Sequence, residues 1–334
     1  MDDTRILLAH GNGGRLMREL ITDIFDRHLG NPLLDTDADS VLLPRVDGEL
    51  MVTTDGFTVE PLAFPGGDIG SLAVHGVVND LAVAGADPLF FTLSALIEEG
   101  LEIAALDRYI ASFARAARQS HAAVVAGDTK VVRRGEGGGL YLSVTGIGVR
   151  RAGAQLSLRR VAPGDVVLVS GPVGDHGVAV MLAREQFGLA GELHSDSASV
   201  LPLARAIRDL PDLKFMRDPT RGGLATLAHE IARASGHSVA LDQAAVPVRP
   251  QVVSVCDILG YDPYFLACEG RIVAVADPFA ADEILRRWHA LPEGRDAAVI
   301  GHVEVGGGRV ILNTPLGGRR AMDELEDDPL PRIC

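Results

Sequence analysis

The sequence predicts an α/β chain built in two halves. Three observations point there. Helix-period and strand-like segments alternate from residue 41 onward. The 334 residues are 47% apolar, enough for more than one core, and a chain of this length suggests two domains. The 38 glycines are many for a helical bundle and suit backbone-lined loops. Aromatic residues are only 4%, with Trp288 the single Trp, so the predicted cores are aliphatic.

Residues 41–54 alternate loosely and end in the β-prone run Leu50-Met51-Val52-Thr53-Thr54, which Asp55-Gly56 closes. Pro65-Gly66-Gly67-Asp68 is a turn. It leads into a helix over 69–84, with apolar residues at 69, 72, 73, 77, 81 and 84 and Asp68 as its N-cap. Gly85 and Pro88 stop it. Residues 89–96 read as a buried strand and 102–120 as an amphipathic helix. Residues 122–126 form a short strand, closed by Gly127-Asp128-Thr129-Lys130, and 140–149 form another. The chain turns polar and basic over 150–160, which marks a boundary.

In the second half, Pro163-Gly164-Asp165 opens a strand over 166–170, and Gly171 to Gly177 is a glycine-rich turn into a helix. A short strand at 214–216 precedes Arg217-Asp218-Pro219-Thr220-Arg221-Gly222-Gly223, and a helix follows to about Ser235. Strands near 263–267 and 271–276, a helix near 279–290 and strands near 297–304 and 309–313 complete the half. There is no short-period repeat.

A net charge of −14 argues against nucleic acid or an anionic membrane as the main partner, and it requires any polyphosphate site to be built from backbone amides and metal ions. Three cysteines, Cys256, Cys268 and Cys334, with no C-x-x-C pair, exclude a disulfide framework and a structural zinc site. Cys256 and Cys268 lie in apolar settings and read as core thiols. The acidic start of the chain has no signal core, and no run of about 18 apolar residues exists, so a reducing cytoplasm is the expected location.

Four internal constellations carry possible chemistry. Asp55, Asp80 and Asp128 lie on separate elements, beside Gly or Asn, and offer the hard oxygens that Mg²⁺ takes; each alone also reads as a turn or helix cap. His10-Gly11-Asn12-Gly13-Gly14-Arg15 puts three glycines before a helical stretch, where amides can wrap phosphate oxygens. It is neither a P-loop nor a dinucleotide fingerprint. Asp218 to Gly223 sets a sharp helix entry whose amides, with Thr220 and Arg221, suit an anion, or it is a plain N-cap turn. Glu269, in Cys268-Glu269-Gly270-Arg271, is a buried general base or one half of an ion pair with Arg271 or another cation. No role is evident for His75 or His176.

The chain ends on Cys334, after an acidic run and two prolines that resist regular structure. From Gly317 the last 18 residues, fully extended, would span roughly 50–60 Å, long enough to carry a thiol to a distant site.

Taken in order, these pieces resemble one family. They are His10-Gly11-Asn12-Gly13-Gly14, Thr53-Thr54-Asp55-Gly56-Phe57, Pro65-Gly66-Gly67-Asp68-Ile69-Gly70, Val78-Asn79-Asp80-Leu81-Ala82, Ala126-Gly127-Asp128-Thr129-Lys130, Met216 to Gly223, and Pro331-Arg332-Ile333-Cys334. The whole chain is similar to the HypE hydrogenase maturation factors, and the terminal Pro-Arg-Ile-Cys is the most specific element. The inner motifs are shared with aminoimidazole ribonucleotide synthetase, thiamine-monophosphate kinase and selenophosphate synthetase.

The resemblance implies a two-domain PurM-like fold. Residues 1–155 would form an ATP-binding domain that dimerises through a β-barrel-like interface, 156–316 a second α/β domain, and 317–334 a flexible tail. It implies that HypF carbamoylates Cys334, that ATP drives dehydration of the thiocarboxamide to a thiocyanate, and that the cyano group passes to a HypC–HypD complex for the [NiFe] centre. It places ATP on Gly11, Asn12, Gly13, Gly14, Asp68, Asn79, Gly127, Asp128, Thr129, Asp218, Thr220, Arg221 and Gly222, and Mg²⁺ on Asp55, Asp80 and Asp128. Glu269 would be the base, with Lys130 tuning or relaying the proton. The rivals are another enzyme of that superfamily, such as a thiamine-monophosphate kinase, and a non-catalytic thiol carrier.

Overall fold

A computed structural model describes residues 4–150, 156–184 and 192–325. Cys334 and the rest of the terminal tail from 326 lie outside the described residues. The chain divides into two compact units. The first comprises 4–81 and 86–150, the second 82–85 and 156–325.

In the first unit α1 (Arg15–Leu20) continues through a π-helical turn (Ile21–Asp26) into α2 (Arg27–Leu29). Then follow β1 (Glu49–Phe57), the small hairpin β2 (Ala63–Phe64) and β3 (Gly67–Asp68), α3 (Ile69–Val83), β4 (Ala86–Glu98), α4 (Ile103–Gln119), β5 (Ala123–Val132) and β6 (Leu140–Arg150). The sheet has the order β1-β6-β4-β5, with β4 and β5 parallel and the other pairs antiparallel. It is an open sheet; among the described residues no barrel closes.

The period-2 alternation of strand side chains sorts the two faces. Phe57, Leu93, Ala95, Leu142 and Val144 point to one face and are buried. Helix α3 lies on that face, with Val77 and Leu81 against Gly146 of β6. Helix α4 buries Leu106, Ile110 and Phe113, each worth about 1.5–3 kcal/mol when removed from water. The opposite face stays open: Leu50 and Val52 of β1 are 65% and 71% exposed, and Leu96 of β4 is 39% exposed.

The expected cap of α3 is present. Asp68 Oδ1 accepts from Ser71 N at 2.9 Å, and Ser71 Oγ accepts from Asp68 N at 3.1 Å, a reciprocal capping pair. Two expected strand ends are not ends. Asp55-Gly56 and Gly127-Asp128 lie inside β1 and β5, because both steps stay paired: Asp55 opposite Val144, Gly56 opposite Ser143, and Asp128 opposite Ser94. Tertiary pairing overrides the local turn preference there.

The second unit contains β7 (Val166–Val169), α5 (Asp175–Ala183), α6 (Leu201–Ile207), β8 (Leu213–Arg217), α7 (Gly223–Ser235), β9 (Ser238–Asp242), α8 (Pro250–Leu259), β10 (Val273–Ala276), α9 (Pro278–His289), β11 (Ala298–Glu304), β12 (Val310–Asn313) and β13 (Arg319–Met322). They form a seven-stranded sheet ordered β13-β12-β9-β11-β7-β10-β8, antiparallel except for β9 with β12. Its core sets Val167, Val169, Val239, Leu241, Val273 and Val275 against Leu224, Leu227 and Ile231 of α7.

Two expectations fail in this unit. The strand expected near 263–267 is a 3₁₀ turn, Pro263–Phe265, because Asp262 Oδ1 caps Tyr264 N at 3.1 Å and Pro263 takes the first helical position. The tail expected to be flexible from Gly317 contains β13, which pairs with β12 and is tied outward by Arg319–Glu304 at 2.6 Å and Arg320–Asp262 at 3.2 Å. No helix among the described residues is long and apolar enough to cross a membrane.

Candidate functional site

The first unit assembles two groups of the expected residues. In one, the glycine loop is folded onto β5: a Cβ on Gly11 would meet the Val131 side chain at 2.8 Å. The loop holds itself by Gly14 N donating to Asn12 Oδ1 at 2.9 Å, and Gly13 takes a left-handed φ of 77°. His10 is buried and accepts from Leu7 N at 2.9 Å, so it braces the loop. Asp128 and Lys130 alternate to the same open face of the sheet, both exposed. Gly127, Asp128 and Thr129 also line a cavity of about 410 Å³, together with Asp35, Asp39 and apolar residues of α1 and the π-helical turn.

The other group lies at the far edge of that sheet. Asp80 on α3 accepts from Thr53 Oγ1 of β1 at 2.6 Å. Asp55 is two residues further along the strand on the same face, while Asn79 is fully buried within α3. β1 and β5 are the two end strands, so Asp55 and Asp128 are three strand spacings apart, about 14 Å. The three carboxylates proposed for Mg²⁺ therefore do not meet at one point in one chain. Among the described residues no group of three or more His, Cys, Asp or Glu is arranged to hold a metal ion.

The second unit brings the other expected residues together. The loop Asp218-Pro219-Thr220-Arg221-Gly222 enters α7, and Gly223 N closes it on Thr220 O at 2.9 Å. Asp218 is buried, Thr220 half-buried and Arg221 exposed. Cys268 N donates to Pro219 O at 3.1 Å, which sets Glu269 one residue from this loop. Glu269 is itself buried.

Beneath Glu269 lies a charged network that the sequence reading did not identify. Arg271 donates from Nε to Pro172 O at 2.9 Å and holds its guanidinium 3.4 Å from Asp196 Oδ2 and 3.6 Å from Asp175 Oδ2. Arg249 Nε donates to Asp175 Oδ2 at 2.8 Å. Two buried carboxylates thus face one buried guanidinium, that of Arg271, and one that is partly exposed to water, that of Arg249. Burial pushes the Asp175 carboxyl up, as does the charge of Asp196, and the two arginines oppose the rise. His176, wholly buried, meets Ser195 Oγ at 2.8 Å through Nδ1; burial lowers its pKa to about 4, so it is neutral at pH 7. His75 in α3 is lowered to about 4 for the same reason. Cys268 is fully buried, and burial raises its thiol well above the usual range.

Family models match both halves: AIR synthase related protein, N-terminal domain, over residues 36–150, and the C-terminal domain of the same family over 162–313. The carbamoyl dehydratase HypE of Azotobacter vinelandii is 43% identical over 98% of this chain and 96% of its own length. A crystal structure of the hydrogenase maturation protein HypE in complex with ATP superposes with a TM-score of 0.93 at 41% identity, covering 98% of this chain and 99% of that one. In a HypE–HypF complex, the matching chain has a TM-score of 0.81 at 40% identity, covering 93% of this chain and 100% of that one.

Proposed function

The chain belongs to the HypE family of carbamoyl dehydratases, and from that premise we propose how its residues carry out the reaction. It is an ATP-dependent enzyme of hydrogenase maturation that dehydrates a carbamoyl group on its C-terminal cysteine. A carboxamide oxygen leaves poorly as hydroxide. Transfer of the ATP γ-phosphoryl to that oxygen makes the leaving group phosphate, and loss of both N–H protons completes the C≡N bond. The thiocarboxamide and ATP thus give the thiocyanate, ADP and phosphate.

The supporting observation is the 3.1 Å bond from Cys268 N to Pro219 O, which keeps the candidate base beside the candidate nucleotide loop. Glu269 takes the amide protons and Lys130 relays or tunes them. Gly11 to Gly14, Asp68, Asn79, Gly127 to Thr129, and Asp218, Thr220, Arg221 and Gly222 are the proposed nucleotide contacts. Phosphoryl transfer asks chiefly for positioning and charge neutralisation, which backbone amides of such loops supply. Tethering the substrate on Cys334 replaces a bimolecular encounter by an intramolecular one.

The donor chemistry suits Mg²⁺, which offsets phosphate charge when bound. Because Asp55 and Asp128 stand at opposite sheet edges, one chain offers the Asp55/Asp80 pair and Asp128 as two half-sites rather than one.

HypF is the carbamoyl donor partner, and a HypC–HypD complex is the proposed cyano acceptor. The exposed Leu50, Val52 and Leu96 suit a homodimer joined through the open face of the sheet, where a barrel-like interface would bury them. Val52→Glu is expected to convert a dimer to a monomer in sedimentation velocity; a monomeric wild-type chain would sink the interface. The proposed first domain is 1–155; the second, expected over 156–316, extends through β13, and the reactive tail in the cytoplasm follows it.

The test is intact mass after incubation with HypF, carbamoyl phosphate, ATP and Mg²⁺. Gain of one carbamoyl group, then an ATP-dependent loss of one water that stops when EDTA replaces Mg²⁺, is the expected course. A carbamoyl gain with no water loss would leave a carrier, and no gain at all would favour a small-molecule kinase. Water loss unaffected by EDTA would remove the metal from the scheme.

A further inference from the structure

We infer that Asp196 is a positioning residue for the dehydration step: its carboxylate holds the peptide N–H of Glu269, its own segment holds the Glu269 carbonyl through Ala198, and the charge of Arg271 stands beneath it. The inference rests on the reading of Glu269 as the base. Asp196 Oδ1 accepts from Glu269 N at 3.2 Å. Two residues on, Ala198 N donates to Glu269 O at 3.3 Å. The same short segment therefore takes both backbone polar groups of the candidate base.

The next residue fits only because it is glycine. A Cβ on Gly270 would stand 1.9 Å from Asp196 O and 3.1 Å from Ala198 N. The clamp is anchored in turn. Asp196 Oδ2 lies 3.4 Å from Arg271 Nε, a charge contact and not a hydrogen bond, because the single Nε–H is donated to Pro172 O at 2.9 Å. Ser195 Oγ meets His176 and accepts from Ser197 N at 2.9 Å, so the segment is fixed before and after Asp196.

The side chain of Asp196 is fully buried and has a charged partner in Arg271. Buried charged pairs add little net stability as a rule, and their best-attested use is to specify one arrangement. Here the arrangement specified is the direction of Glu269. A base displaced by about 1 Å from the proton it takes loses on the order of 10²-fold in rate.

The test uses the full-length protein with HypF, carbamoyl phosphate and ATP, and compares Asp196→Ala, Asp196→Asn, Gly270→Ala and Glu269→Gln. Asp196→Ala and Gly270→Ala are expected to lower the single-turnover dehydration rate about 10- to 100-fold, with carbamoyl gain and KM for ATP unchanged. Asp196→Asn keeps the acceptor for Glu269 N and is expected to recover most of the rate. If Asp196→Ala does not fold, Gly270→Ala and Asp196→Asn carry the comparison. Wild-type rates in Asp196→Ala or Gly270→Ala, with Glu269→Gln slow, overturn the positioning role alone. A parallel loss of ATP affinity and rate in all three clamp variants would mean a merely structural role and also overturn it. A wild-type rate in Glu269→Gln would remove the base assignment itself.

Discussion

Replacing Cys334 by Ala is expected to abolish both stages of the reaction. With no thiol at that position, HypF and carbamoyl phosphate leave the mass of the chain unchanged, and phosphate release from ATP falls to background. Cys334→Ser separates the chemistry from the position. A thiol with an ordinary pKa near 8.5 has a few per cent thiolate at pH 7, whereas a hydroxyl has essentially none. The Ser chain is therefore expected to remain uncarbamoylated on the time scale at which the wild-type chain is complete. Intact mass and phosphate release on the same samples check both. A carbamoyl gain that survives in Cys334→Ala would move the acceptor to another residue and end the proposed scheme.

Glu269→Gln is expected to stop the reaction one stage later. The amide has nearly the same shape as the carboxyl but takes no proton, so the backbone bonds to Asp196 and Ala198 are kept while the base is lost. General-base contributions run to about 10²–10⁴-fold, and a drop of that size is expected in single-turnover dehydration. Carbamoylation and ATP binding are expected to stay at wild-type level. The carbamoylated chain then accumulates as one mass peak, a species the wild-type chain passes through. Rapid loss of water in this variant would transfer the role of base elsewhere, with Lys130 the first residue to examine.

Much of the fold was legible because its signals are local. The apolar spacing of α4 and the Asp68 cap of α3 each lie within a few residues, and both are found as expected. Two misreadings in the first unit share one cause. Asp55-Gly56 and Gly127-Asp128 carry turn chemistry, yet they stay in strands because partners distant in sequence pair with them. β13 was hidden for the opposite reason. Thr314 and Gly318 exchange backbone and side-chain bonds to close a hairpin, and Gly317-Gly318 was a signal for it that acidic and proline-rich neighbours outweighed.

The candidate site was legible where glycines and acids recur in short motifs, and not where it depends on a single side chain. Asp196 stands in Ser195-Asp196-Ser197, which reads as an ordinary polar loop. Its bond to Glu269 spans 73 residues, and the Arg249–Asp175 bond spans 74. No window along the chain contains both ends of either contact. The sequence offers Arg271 as a partner for Glu269, and the structure turns its guanidinium toward Asp175 and Asp196.

The burial of two thiols has a consequence for selectivity. The sequence contains three cysteines, and Cys256 and Cys268 are 2% and 0% exposed. Burial and nearby carboxylates push Cys256 up to about 11, leaving on the order of one molecule in 10⁴ as thiolate at neutral pH. Cys268 is raised well above the usual range. Toward an electrophilic donor the folded protein thus offers neither of these two thiols. The carbamoyl donor needs no means of telling cysteines apart, because the fold has withdrawn the competitors, and modification of the wrong sulfur would report unfolding rather than poor recognition.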